Sequence, residues 1–179
     1  MPKLRYYIPI IIIPYYIVFL IVCIFTGFLE NVFQNNPIFM LAPFVLLWII
    51  ALVFAITLSI ISRKRKWDAQ RLTRINMTIK LIQIPAYIVI FLLGLIFLIT
   101  IFTMGFSLVF MLFDCMSILL TGIVGASAAG RCRAEGVLST GGAVLNGILQ
   151  FFFCVDIISA IIIFSMAKSV KKKIAVNSK

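Results

Sequence analysis

Residues 38–74 read IFMLAPFVLLWIIALVFAITLSII and then SRKRKWDAQRLTR. The first part holds no charged residue. A helix needs about 20 apolar residues to cross a hydrocarbon core of about 30 Å, and this run suffices. The second part holds six bases and one acid. An uncharged span that ends in a short Lys/Arg-rich loop reads as a membrane helix with its basic mouth at the cytoplasm.

Working outward, the same length of apolar sequence recurs at 8–28, 81–103, 107–128 and 137–167, and a basic tail follows at 168–179. The segments lack the alternation and turns of a barrel, so helices are the only spans that satisfy their backbone in lipid. The expected fold is all-α: a polytopic membrane helical bundle of five transmembrane helices in one integral membrane domain, 1–179. The last segment is unusually long and opens on Leu138-Ser139-Thr140-Gly141-Gly142. Four spans plus a re-entrant segment is therefore the alternative.

Composition agrees. Hydrophobic residues make up 64% and charged residues 12%, against about 25% charged in soluble domains. The net charge of +11 does not imply nucleic acid, because the bases sit at segment ends and in loops. Arg63, Lys64, Arg65, Lys66, Arg71 and Arg74 set topology and meet the anionic headgroups of the lipid bilayer. The loop at 29–37 has Glu30 and no base, so it suits the outside. Lys3 and Arg5 place the N-terminus in the cytoplasm, ahead of a first span too long for a signal core. Five spans put the C-terminus outside, in conflict with Lys168, Lys171, Lys172, Lys173 and Lys179. Lys80, at the mouth of the third span, is expected to snorkel to the headgroups. Pro43 and Pro85 are expected near helix starts, where a missing amide costs little.

The chain has no histidine and four cysteines, none at metal-ligand spacing to another. His-based acid–base chemistry, nucleophile–base pairs and zinc sites are thereby removed. No catalytic residue, no metal and no cofactor is expected, and the protein is not read as an enzyme.

Small residues recur at four-residue steps: Gly122, Ala126 and Gly130, with Gly125 beside them, then Ala143 and Gly147. Such faces let membrane helices approach closely. They predict a hairpin in which Gly122, Gly125 and Ala126 face Ala143 and Gly147.

Two acids lie inside apolar segments, Asp114 and Asp156. Measured from the intervening inner turn at 1.5 Å per residue, they reach depths of roughly 24 and 30 Å on adjacent helices. This predicts a shared site, with Ser117 and Ser159 three residues after each acid and Asn146 and Gln150 on one face of the fifth segment. The acids have three readings: ion or proton handling, a structural role, and an aspartyl protease dyad. The last is disfavoured because the Gly-x-Gly-Asp context is missing at both.

Three stretches carry a resemblance: Ile79-Lys80-Leu81-Ile82-Gln83-Ile84-Pro85-Ala86-Tyr87-Ile88; Phe113-Asp114-Cys115 with Leu120-Thr121-Gly122; and Gln150-Phe151-Phe152-Phe153-Cys154-Val155-Asp156. Over the last three segments the chain resembles an uncharacterised family of small multi-pass membrane proteins from gut-dwelling Firmicutes. That resemblance implies a bacterial plasma membrane and no particular activity. The functional expectation is a non-enzymatic accessory or immunity-type protein that acts through a membrane-protein partner or lipid. The alternative is a small cation- or proton-coupled carrier or channel using Asp114 and Asp156. Oligomeric state is left open by the sequence.

Overall fold

The computed structural model describes residues 7–27, 36–99 and 104–177. These form six helices and no strand: α1 (Ile8–Phe25), α2 (Pro37–Lys64), α3 (Ala69–Leu98), α4 (Met104–Ala134), α5 (Thr140–Leu149) and α6 (Val155–Asn177). The fold is an all-α helical bundle. Among the described residues, Leu41–Lys64, Ala69–Leu98 and Met104–Ala134 are each long and apolar enough to cross a membrane. Large side chains such as Leu46, Val53, Leu92, Ile96 and Met111 lie about half exposed or more. Apolar surface on that scale suits lipid and not water.

Helix boundaries depart from the apolar runs. α3 begins at Ala69 rather than at 81, so the basic stretch before the apolar run is already helical. Pro85 therefore lies mid-helix and not near a start. α4 begins at Met104 and extends through Arg131 and Arg133. The expected outer loop at 29–37 falls almost wholly outside the described residues, as do Lys3, Arg5, Thr103 and Lys179. The largest departure is in the last segment. The expected continuous span 137–167 is two helices, and the second carries the basic tail as helix to Asn177.

The chain divides into two compact units, each containing parts of α2, α3 and α4. The first comprises residues 1–54 and 82–117. Its buried side chains include Ile10, Ile13, Ile17, Leu20, Phe44, Ile90 and Phe110. Rings link its helices: Phe44 lies 4.8 Å from Phe113, and Phe97 lies 5.6 Å from Phe110, centroid to centroid. Proline chemistry explains one of its hydrogen bonds. Pro14 has no N–H for the carbonyl of Ile10, four residues earlier. The wholly buried Gln83 fills that gap, its Nε2 donating to Ile10 O at 2.7 Å. Near Pro85, the Tyr15 hydroxyl donates to Ile82 O at 2.5 Å.

The second unit comprises residues 55–81 and 118–179. Ala69, Ala129, Cys132, Ile163 and Ala167 form a buried core, with Val137 and Leu138 packed on it. The small residues let three helices meet closely. Gly136, at φ +70°, turns the chain after α4, and Val137 N donates back to Cys132 O at 2.8 Å. Two carboxylates cap α3. Asp68 Oδ1 accepts from Gln70 N at 3.1 Å, and both Glu135 oxygens accept from Ala69 N at 3.0 Å. Anions there complement the positive end of the helix dipole. Arg131 joins this end of the unit, pairing with Glu135 at 3.1 Å and donating from Nε to Trp67 O at 2.5 Å. Lys171 of α6 pairs with Asp68.

That last ion pair bears on the tail. It holds α6 beside the basic 63–68 loop, and so on the loop's side of this unit.

Candidate functional site

α5 starts on Ser139, whose side chain accepts from Gly142 N at 3.1 Å as an N-cap. It has 10 residues, about 15 Å of helix, half a hydrocarbon core. After Leu149 the chain tightens. Phe151 N and Phe152 N donate three residues back, to Ile148 O and Leu149 O. Cys154 then takes φ +63°, a left-handed conformation that costs a non-glycine residue energy. The chain reverses there. In a continuous helix Asn146 and Ser159 would lie about 20 Å apart, yet Ser159 Oγ donates to Asn146 Oδ1 at 3.0 Å. α5 and α6 are a helical hairpin.

A buried polar cluster fills the reversal. Lys80 Nζ pairs with Asp156 Oδ2 at 2.5 Å, and both side chains are closed off, at 0% and 3% exposure. Lys80 Nζ also lies 3.4 Å from Gln150 O, a carbonyl freed at the C-terminal end of α5. Asp156 stands in the first turn of α6. The cation thus meets the negative end of one helix dipole and the anion the positive end of the next. Around the pair run amide and hydroxyl bonds. Asn76 Nδ2 donates to Gln150 Oε1 at 3.1 Å, and Gln150 Nε2 donates to Ser159 Oγ at 3.0 Å. Asn146 Nδ2 donates to Gly142 O at 2.7 Å. Asn76 Oδ1 is buried without a partner.

Of the polar residues read from the sequence, the structure gathers Asn146, Gln150, Asp156 and Ser159. Asp114 and Ser117 belong to the first unit. The partner of Asp156 is Lys80. Ser117 is 3.0 Å from the Tyr87 hydroxyl. Lys80 does not snorkel: it lies 11 residues into α3, about 16 Å from the helix start, and is wholly buried. Asn76 and Lys80 are the members that sequence reasoning missed. Their signal was present in the spacing, since both fall one turn apart on one face of a helix that begins at Ala69.

The small-residue face is used differently from the expected hairpin. A Cβ on Gly125 would fall 2.6 Å from Gln150 Cδ, and one on Gly122 would fall 2.5 Å from the Phe151 ring. These two glycines therefore admit the side chains of the reversal and not the backbone of α5. Gly130 and Gly147 have nothing within 4 Å of such a Cβ. They make no close approach. Ala143 is buried and Ala126 half-buried.

The six basic residues assigned to headgroups are all exposed. Arg71 lies over the Trp67 ring at 4.3 Å and Arg74 over Phe164 at 5.8 Å, as cations do over aromatic faces. Among them Asp68 is the counter-charge. Burial pushes its carboxyl up, but the hydrogen bonds from Lys171 and Gln70 N outweigh this and hold it below the usual carboxylate range.

Among the described residues no group of His, Cys, Asp and Glu is placed to hold a metal ion. The chemistry the cluster offers is a compensated charge pair, closed from water, at a point where helix carbonyls and amides are free of their usual partners. No protein family, curated protein or solved structure matches the chain.

Proposed function

We propose that this chain is a small plasma-membrane protein that handles a proton or a small cation at the Lys80–Asp156 pair. One observation carries the reading: a fully buried ion pair at a helix reversal. Energetics support it. Each charge costs about 2.5–3.5 kcal/mol on insertion scales, and apolar residues of similar volume in place of a buried pair are often neutral or stabilising. Packing alone does not call for Lys80 and Asp156. Intramembrane charges of this kind mark ion and proton pathways, and interrupted helices form the binding sites of many carriers.

In the orientation that fits this reading, the basic loop 63–68 and the α6 tail face the cytoplasm. α1 to α4 cross, and α5–α6 enters and returns on one side. The lysines of the tail then cease to conflict with the charge rule.

A second reading has its own support. Lys80, Gln150, Asp156 and Ser159 are all closed from water and hydrogen-bonded, as in a structural clamp of an accessory protein that acts through a partner. Flux separates the two. Purified protein in liposomes carrying a pH-sensitive dye is given a proton gradient, then sodium and potassium gradients. The carrier reading expects protein-dependent flux, lost in the Lys80→Met/Asp156→Leu double variant. Folded protein without flux of any of these ions contradicts it and leaves the accessory reading.

A further inference from the structure

The first unit has a single charged side chain among its described residues, Asp114 on α4. Its Oδ1 is buried and meets no hydrogen-bond donor. On either side of it in the chain, Phe113 meets Phe44 of α2 in a tilted ring contact, and Met116 O accepts from Trp48 Nε1 of α2 at 3.1 Å. α3 supplies Tyr87, bonded to Ser117. The other ionisable groups described in this unit are Tyr7, Tyr15, Tyr16, Cys23 and Cys115, and none of them becomes a cation. A carboxylate at Asp114 would therefore find no cation among the described residues of this unit, a costly state for a charge in a membrane helix. A metal cation would need several oxygen ligands, yet the neighbouring Met116 carbonyl and Ser117 hydroxyl are already engaged.

We propose that Asp114 is a proton-binding carboxyl, loaded at neutral pH and independent of the ion-paired Asp156. The ligand is a proton, held on an acid with no cation among the described residues of its unit. The inference stands apart from the flux reading of the Lys80–Asp156 pair, because it concerns a different unit and is read by chemistry rather than by transport.

The test is dicyclohexylcarbodiimide, an apolar reagent that enters bilayers and attacks protonated carboxyls. The acid's proton passes to a carbodiimide nitrogen, and the carboxyl oxygen bonds to the central carbon. The adduct retains the whole reagent. Liposome-embedded protein is labelled across a pH series, and the adduct is mapped by peptide mass. The expected result is an adduct on Asp114 and none on Asp156, slowing as pH rises and unaffected by added sodium. Asp114→Asn abolishes the adduct and leaves the melting temperature unchanged, since an amide replaces a neutral acid. Should Asp114 remain unlabelled, infrared spectra decide. A protonated-carboxyl C=O band that vanishes in Asp114→Asn sustains the proposal, and absence of the band overturns it. Labelling on Asp156 alone, protection by sodium, or a melting loss in Asp114→Asn equal to that of Asp156→Asn each overturn it as well.

Discussion

Lys80 and Asp156 show why a charge pair inside a membrane is costly to break and less costly to remove. Loss of one partner leaves an unpaired buried charge, at about 3–5 kcal/mol. Lys80→Met and Asp156→Leu should each destabilise the protein in detergent by that order. The double variant should recover most of the loss, because no unpaired charge remains. Additive losses in a melting or denaturant cycle would mean that the two residues do not interact. Half of this pair was legible in the sequence. Asp156, Gln150, Asn146 and Ser159 stand out as polar residues in an apolar run. Lys80 does not, because it lies just ahead of the apolar run at 81 while the helix begins at Ala69. Lys80 stands about three turns into α3 and is wholly buried.

Prolines set a second layer of polar contacts at the level of the helices. α1 continues through Pro14 and α3 through Pro85, and each proline deprives its own helix of a donor. Gln83 donates to Ile10 O, the carbonyl left open by Pro14. Gln83→Leu should therefore lose about 1–3 kcal/mol, the cost of a buried acceptor without a donor. Pro14→Ala should restore much of it by returning the N–H to α1, and a thermal-shift cycle reads the coupling. If Gln83→Leu costs the same in the Pro14→Ala background as in the wild type, Gln83 stabilises by packing alone. Helix type was readable from length and apolarity, but helix ends were not. The reversal at 150–154 contains neither glycine nor proline; it is the five-residue stretch between Leu149 and Val155. Local sequence gives it no turn signal. The hydrogen bonds of Gln150, Asn146 and Ser159 across the reversal, and the space left by Gly125, hold it. Those are tertiary causes, invisible to periodicity. Gly141 and Gly142, the breakers that the sequence offers, lie inside α5 instead.

For the molecule as a whole, the proposed topology has four crossings and keeps the tail on the cytoplasmic side. A continuous fifth span would export five lysines against the charge rule. The hairpin α5–α6 instead brings Lys171 to Asp68, beside the loop at 63–68. This folded-back end, locked to α3 by Lys80–Asp156, is the central claim. Single cysteines at Arg65 and Val176, both exposed, test it most directly in an otherwise cysteine-free protein. Ile99, at the opposite end of α3 and 81% exposed, serves as the far-side control. Sealed membranes of known orientation are treated with an impermeant thiol reagent. The account predicts that positions 65 and 176 label from one face and position 99 from the other. Labelling of 176 from the same face as 99, opposite to 65, would contradict it and restore a fifth crossing.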